Sequence, residues 1–501
     1  MYVKLYTYSY INIEEKAALC GSGCRTKRRK SKVDFLTTSC SNCVSFLSIV
    51  RFFPIRVICI YVARRVNPAH YRTQYQKLVC VCVFVLLCVY SKWKEKEKER
   101  RVRKNLVKYG LIKQVANGMY AFLPLGLRVL NKLIALVDTE MEKIGAQKLL
   151  LPALTSTQLW RKSNRFDDNI NELFKLRDRS KREYILSPTH EEAICFIVSS
   201  AGSLSPKRFP LRLYQISNKW RDEIKPKLGF LRSREFIMKD LYTFDIDLDR
   251  AKETYALVCE AYEKIFKKIG IKYVKAIGDP GTIGGSTSHE YHYISSIGED
   301  NVYTCLSCQY SINKAMCKES QCPECGSVLE QNRTAEVGHT FLLDTKYTIP
   351  LNVTLRVNKE IKPLVMGCYG LGLSRIFTVM TELLSTKEEL RWPKNLAPYT
   401  ICIIPPKVGS KEESALQYVK DIIEVLTRLN IDIILDDRTH LSIGNRLMHA
   451  RITGFPYVVI IGKSAIQSPP LIEIHDINSS TNCQIPLDDI SSYFNKEGIT
   501  I

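Results

Sequence analysis

The chain has 501 residues, 45% of them hydrophobic and 25% charged, with 73 Lys and Arg against 51 Asp and Glu. That length exceeds the ~250 to 300 residues one hydrophobic core usually supports, so two or more domains are expected, and the composition excludes a fibrous, low-complexity or wholly disordered chain. A net charge of +22 points to a polyanionic partner, an organelle-targeting segment, or both.

The excess is concentrated at the N-terminus. Residues 1–93 hold 15 Lys or Arg against only Glu14, Glu15 and Asp34, and no acid interrupts Phe35 to Trp93. An Arg-rich, acid-poor start reads as a mitochondrial or plastid transit segment. Its apolar run, Leu78 to Tyr90, is 13 residues, short of the ~20 that cross a bilayer, so no stable membrane association is expected. Cys20/Cys24 and Cys40/Cys43 have roughly metal-like spacing in a Tyr-rich context unlike a zinc module. The charged run Lys94 to Lys104 is a linker, which places a leader at 1–100.

Beyond it, amphipathic helices alternate with short strands. A helix is predicted over Leu125 to Ile144, with Leu127, Leu130, Leu133, Ile134, Val137 and Met141 on its apolar face and Gly145 as its stop. A strand follows at Lys148 to Leu151, ended by Pro152. A helix opens at Ser187-Pro188-Thr189, and strands around Leu211 to Arg221 and Glu235 to Asp245 form an antiparallel hairpin. After a helix over Leu248 to Ile269 come a Gly/Ser/Thr-rich stretch, a Cys-rich module at 305–325, and strands with a Gly-rich helix start at 336–375. From Pro398 the pattern is strand (Thr400 to Ile404), helix (Glu412 to Leu429), strand (Ile431 to Leu435), helix (Ile443 to Ile452) and strand (Tyr457 to Ile461), the alternation of an α/β layer. No internal repeat is present.

Two segments carry chemistry. In the hairpin, Arg221 and Glu223 are read as sharing one strand face, and Arg234, Phe236, Met238 and Asp240 as sharing the facing one. Such a face suits a nucleotide: Phe stacks a base, Glu accepts its amine and Arg holds a phosphate. It also suits a solvated ladder of ion pairs. The second segment is GCYGLGLSR, Gly367 to Arg375, where glycines let backbone approach a ligand and Arg375 opens a helix. Tight packing of helix on strand explains those glycines equally well.

Together these segments resemble the three signature motifs of the class II aminoacyl-tRNA synthetases, in order: the long helix, strand and Pro152; then Arg221, Glu223, Arg232 and Phe236; then the Gly-rich segment ending in Arg375. FLPLG at 122–126, SPTHEE at 187–192, RDE at 221–223, SREFIMKD at 233–240, GGSTSHE at 284–290 and EVGHTF at 336–341 are similar to the prolyl branch of bacterial and mitochondrial type. The resemblance covers about residue 105 to the C-terminus. It implies an α/β protein: an α+β catalytic domain on an antiparallel sheet at 101–396 and a C-terminal α/β anticodon-binding domain at 397–501.

The resemblance further implies activation of proline by ATP with Mg²⁺, transfer to tRNA(Pro), a homodimer built on the first motif, and action in the mitochondrial matrix, with a plastid-type organelle or the cytoplasm as alternatives. Arg221 would bridge the α-phosphate and the proline carboxylate, Glu223 would read the adenine amine, Phe236 and Arg375 would sandwich the base, and Arg232 and Arg375 would reach the γ-phosphate. Arg221 and Arg375 are thus the catalytic candidates. Thr189 and Glu191 would take the secondary ammonium, with His339 and Cys368 lining the proline pocket. The residues themselves allow another use: Thr189 and Glu192 can form a capping box while Glu191 faces inward.

Three departures bear on this. Ser374 stands where the class pattern has Glu, as the prolyl branch tends to have. Only 46 residues separate His289 from Glu336, below a usual domain, so the hydrolytic editing domain of bacterial members is not expected. Asn445 replaces a Lys in the segment 434–447, where Asp437, Arg438 and Arg446 are the candidates for tRNA contact. Within the short interval, Cys305-x2-Cys308 and Cys322-x2-Cys325 have the spacing of a four-thiolate structural zinc site. The rivals in other classes are a non-catalytic synthetase-like nucleic-acid-binding subunit and a zinc-module nucleic-acid binder. Retention of Arg221, Glu223, Phe236 and Arg375 argues against both.

Overall fold

In the computed structural model the chain is described over residues 105–166, 172–202, 204–357 and 360–496, and the predicted leader, with its Cys pairs and apolar run, lies outside the described residues. A hairpin of β1 (Ile112–Ala116) and β2 (Met119–Phe122) leads into α1 (Pro124–Lys143). Pro124 starts α1 where a missing N–H costs nothing. The buried stripe is Val129, Leu130, Leu133, Val137 and Met141; Leu127, expected on it, is 44% exposed. Gly126 takes the buried place one residue earlier, because a Cβ there would meet Leu111 O at 2.2 Å.

The strand expected at Lys148 to Leu151 pairs only over β3 (Gln147–Lys148). Next come β4 (Leu154–Ser156), α2 (Thr157–Lys162), β5 (Lys175–Arg177) and β6 (Glu183–Leu186), whose strands form a small sheet of their own, and then α3 (Glu191–Ser200). The hairpin is β7 (Leu211–Trp220) and β8 (Glu235–Asp245), followed by α4 (Leu248–Ile269). Asp247 caps α4 by accepting from Arg250 N–H, and Gly270 ends it in the left-handed conformation at φ 78°. Then follow β9 (Tyr273–Ile277), β10 (Thr287–Ile294), β11 (Asp300–Cys305), β12 (Ser311–Asn313), β13 (Leu329–Asp344), the hairpin β14 (Thr354–Val357) and β15 (Glu360–Pro363), β16 (Val365–Gly372) and α5 (Leu373–Leu384).

The main sheet runs β10-β9-β12-β11-β13-β16-β8-β7-β3, antiparallel through its centre, with β3 joining β7 in parallel. The long β13 pairs with β11 over its first part and with β10 over its second. Alternation gives the sheet two different faces. Leu241, Tyr369, Leu371 and Val337 pack with α1, α4 and α5 in the larger core. Tyr242, Phe244, Met366, Cys368 and Phe341 point the other way, with Ile194, Cys195 and Val198 of α3. That second face also buries Lys219, Asp240, Glu191 and Glu192. Burying charge costs several kcal/mol per ion unless it is paired, against the ~1.5 to 3 kcal/mol a buried Leu or Phe contributes, so these charges depend on one another as partners.

Leu396 and Ala397 are the last residues of the large core, and Tyr399 already belongs to another. Beyond lie β17 (Ile401–Ile404), α6 (Tyr418–Arg428), β18 (Ile433–Leu435), α7 (Ile443–Thr453), β19 (Tyr457–Ile460), β20 (Leu471–Asp476), β21 (Thr481–Pro486) and α8 (Ile490–Lys496). Their sheet order is β18-β17-β19-β20-β21: the first three are parallel as the α/β alternation predicts, and β20 and β21 extend it antiparallel. The helix expected from Glu412 opens as a 3₁₀ turn, Glu413–Gln417, before α6. Arg128 and Lys132 of α1 both pair with Asp432, the latter at 2.7 Å, and tie the two sheets together. No helix among the described residues is long and apolar enough to cross a membrane.

Candidate active site

Register builds the floor of one large cavity, about 1260 Å³. Across β7, β8, β16 and β13, Gln215, Asp240, Gly370 and His339 stand in one row, and Leu213, Tyr242, Cys368 and Phe341 in the next. Every residue singled out above for ATP or proline lines this cavity: Thr189, Glu191, Arg221, Glu223, Arg232, Phe236, His339, Cys368 and Arg375. The Gly-rich segment serves both uses considered for it. A Cβ on Gly367 would lie 2.3 Å from Tyr369 Oη, so that glycine is for packing; one on Gly370 would enter the cavity, 3.6 Å from Met238 Sδ.

At one end of the cavity are the arginines. Arg221 and Glu223 do not share a strand face as expected, because β7 stops at Trp220 and the chain turns, with Glu223 N–H donating to Arg221 O at 2.8 Å. The turn nevertheless keeps the Arg221 guanidinium 5.3 Å over the Phe236 ring. Burial, and then the charge of Arg375, push Arg221 below its ordinary pKa. Glu223 accepts from Arg232 at 2.6 Å, and Arg232 also meets Glu299 at 3.0 Å. Arg375 donates to Leu231 O at 3.1 Å and Glu336 O at 2.8 Å. Burial works against charge on Glu336, but the hydrogen bond and charge of His339, helped by Arg375, hold its carboxyl well below the usual range. Ser374 is structural in this setting, since its Oγ accepts from Ile237 N–H at 2.8 Å and ties the start of α5 to β8.

At the other end are the carboxylates. The capping box is absent: His190 precedes the first helical residue and makes no side-chain cap. Thr189 Oγ instead donates to the Glu191 carboxylate, 2.6 and 2.7 Å from its two oxygens, and Cys368 Sγ lies 3.0 Å from Glu191 Oε1. Glu192 is fully buried and accepts from Ser163 Oγ at 2.7 Å. Arg165 bridges the two acids, at 3.0 Å from Glu191 and 3.2 Å from Glu192. Beneath, Asp240 gathers Lys219 at 2.8 Å, Gln215 at 2.9 Å and Tyr242 Oη at 2.8 Å, and Tyr242 Oη accepts from His190 N–H at 2.8 Å. Sequence reasoning passed over Arg165, Lys219 and Glu299. Arg165 stands apart from any motif, 26 residues from Glu191.

The four cysteines come together. Their sulfurs lie within 4.8 Å of one another, with Cys305–Cys325 at 3.4 Å and Cys308–Cys322 at 3.5 Å. Each pair sits on the same kind of turn: Gln309 N–H donates to Cys305 O at 2.9 Å and Gly326 N–H to Cys322 O at 2.8 Å. Tetrahedral zinc bound at ~2.3 Å sets sulfurs ~3.8 Å apart, so this donor set fits it. The interval from His289 to Glu336 is filled by β10 to β12, the two turns and the start of β13.

In the C-terminal sheet one candidate is corrected. Arg446 is fully buried and donates to Asp436 O at 3.2 Å and Pro405 O at 2.6 Å, which makes it a strut between strand ends and withdraws it from any RNA surface. Arg438 forks onto Asp436 at 2.9 and 2.6 Å and meets His449 at 3.1 Å. Asp437 is exposed.

Comparison with known proteins covers both halves. Residues 174–383 match the tRNA synthetase class II core domain (G, H, P, S and T), and 400–497 the anticodon binding domain. The chain is 46% identical over 382 residues to the probable mitochondrial proline-tRNA ligase of Mus musculus, covering 75% of this chain and 80% of that one. It is 37% identical to the probable mitochondrial enzyme of Schizosaccharomyces pombe, covering 77% and 91%, and 34% identical to the proline-tRNA ligase of Ehrlichia canis, covering 78% and 95%. Its fold is similar to that of Cryptosporidium parvum prolyl-tRNA synthetase solved with L-proline and AMP, at a TM-score of 0.65, 17% identity and coverage of 80% and 75%.

Proposed function

Since the chain belongs to the proline-tRNA ligases, a family of class II aminoacyl-tRNA synthetases, we propose that the cavity divides into an ATP end and a proline end, with the residues named above in the roles given there. The reaction is ATP-dependent activation of proline followed by its transfer to tRNA. The observation that carries the division is that one cavity is lined by two different side-chain clusters: Arg221, Glu223, Arg232, Phe236 and Arg375 in one, and Thr189, Cys368 and buried Glu191 in the other.

The roles follow from that division. Arg221, beside Phe236, meets both the α-phosphate and the proline carboxylate, and so holds two anions that would otherwise repel during in-line attack. Phe236 and Arg375 stack the adenine, Glu223 accepts from its amine, and Arg232 turns from Glu223 and Glu299 toward the γ-phosphate. Mg²⁺ neutralises the triphosphate when bound. A carboxylate has about four acceptor positions; Thr189, Cys368 and Arg165 fill three on Glu191, leaving one for the secondary ammonium, whose other N–H meets the Thr189 oxygen. His339 and Cys368 bound the ring. Cys305, Cys308, Cys322 and Cys325 hold structural zinc, a closed four-thiolate site with no position for substrate.

The working unit is a homodimer in the mitochondrial matrix, delivered by the leader at 1–100, with catalytic and anticodon-binding domains at 101–396 and 397–501. Asp437 and Arg438 face tRNA(Pro). Because the interval from His289 to Glu336 is occupied by sheet and cysteine turns, alanyl-tRNA(Pro) is not hydrolysed in cis. Pyrophosphate exchange by the full-length chain, run with each of the twenty amino acids, tests the proline end: exchange with proline is expected, and exchange with threonine or histidine instead would overturn the assignment.

A further inference from the structure

Arg165 has no role in the assignments above, yet it pairs with Glu191 at 3.0 Å from a setting of its own. Its guanidinium lies 4.5 Å from the Trp160 ring and 5.5 Å from that of Tyr347, and its side chain is 11% exposed. One nitrogen, Nη1, serves both Glu191 Oε2 and Glu192 Oε1. The two acids open α3 side by side with no exposure, and Glu192 Oε2 is buried without a partner. Two buried neighbouring carboxylates cannot both stay ionised without a cation, and a protonated Glu191 could not receive an ammonium.

We propose that Arg165 is a positioning residue for proline: it keeps the negative charge of the carboxylate pair on Glu191, turned to the cavity, where the substrate's secondary ammonium binds. This rests on the assignment of Thr189 and Glu191 as the ammonium site. The asymmetry of the pair supports it. Burial opposes charge on Glu191, but Arg165, then Thr189 and Cys368, bring its carboxyl below the usual range; on Glu192 burial wins and pushes it up.

The groups around the pair leave it free to be read by pH. Cys195 on α3, Cys368 on β16, Tyr242 on β8 and Tyr347 after β13 are pushed up by burial and stay neutral near pH 7. His190 is pushed down to about 4, chiefly by burial, and stays neutral as well. Lys219 is paired with Asp240, and Lys346, beside Tyr347, faces the pair as a cation. Lys219 and Lys346, both lowered by burial, are common to wild type and variant, so a pH dependence that appears only when Arg165 is removed belongs to the carboxylates.

The test is steady-state pyrophosphate exchange by the full-length chain from pH 6.5 to 9. Wild type should show a KM for proline that is flat across this range. Arg165→Gln should raise that KM at least about tenfold at pH 7 and recover as pH rises, since each unit changes the ionised fraction of Glu191 by a factor of about ten. KM for ATP, and kcat at saturating proline, should stay near wild type. Arg165→Lys, which keeps a cation, should restore a flat profile, and it carries the test if circular dichroism shows the Gln variant unfolded. A KM for proline that rises equally at every pH, or together with that for ATP, would reduce Arg165 to packing and overturn the proposal. Glu191→Gln separates the two levels: an unchanged KM for proline there overturns the ammonium site itself, whereas a raised KM there with a wild-type Arg165→Gln overturns only the role of Arg165.

Discussion

Arg221 and Arg375 at the catalytic sheet and Arg438 and Arg446 at the C-terminal sheet look alike in sequence: each pair has one Arg just beyond a strand and one in the first turn of a helix. In space they differ. Arg221 and Arg375 line one cavity, and burial, then the charge of Arg375, lower the pKa of Arg221. Arg446 has no exposed surface and its donors reach Asp436 O and Pro405 O, while Arg438 is forked onto the Asp436 carboxylate. Arg446 is buried away from solvent and ties strand ends together, whereas Arg221 and Arg375 line a cavity in which an anion can reach them.

The largest expected effect on this contrast is at the cavity. Arg221→Ala should lose about 2 to 4 kcal/mol of transition-state stabilisation, roughly 10²- to 10³-fold in proline-dependent exchange, by analogy with removal of an oxyanion donor. Next is Arg446→Ala. It leaves two strand-end carbonyls without their donor and should cost about 1 to 3 kcal/mol in urea unfolding.

Lys239 is an intermediate case, a buried cation outside the cavity that donates to Tyr369 O at 3.1 Å and is pushed down to about 7 by burial. Since its pKa in the unfolded chain is higher, between about 7 and 10 the unfolded state binds the proton that the folded state has released, and stability gains from rising pH. Comparing urea midpoints of wild type and Lys239→Met across that range should show a steeper rise in wild type, since Lys132, Lys219 and Lys346, also lowered by burial, remain in both. The smallest effect on catalysis belongs to the cysteine turns: replacing Cys305 and Cys322 with Ser should release zinc, measured by metal analysis, and lower the melting temperature while proline-dependent exchange persists.

How much was legible follows the same contrast. The elements that build the cavity floor, β8 and the Gly-rich strand, are short, contiguous and ordered, so their motifs expose Phe236, Met238, Gly370 and Arg375 directly. Arg221 and Glu223 line the cavity, but not by strand alternation, since β7 ends before them and a turn aims them. The capping box at Thr189 was locally plausible but lost to tertiary pairing, because Arg165 and Ser163 draw Glu192 inward. No periodicity could show Arg165, whose contact with Glu191 depends on the loop after α2. Arg446 is a different case, because a charge in the first turn of α7 says nothing of whether that face is buried. β20 and β21 were missed because the reading stopped at the α/β alternation, which an antiparallel pair does not continue.

The contrast between the two arginine pairs can be measured in a single side-by-side experiment, with proline-dependent pyrophosphate exchange and melting temperature recorded for Arg221→Ala and Arg446→Ala in the full-length chain. The predicted result is a crossing: Arg221→Ala melts near wild type and loses exchange by about 10²-fold or more, whereas Arg446→Ala melts lower and, below its transition, retains exchange. A folded Arg446→Ala without exchange, or an Arg221→Ala that exchanges normally, would contradict the assignment of chemistry to the first pair and architecture to the second.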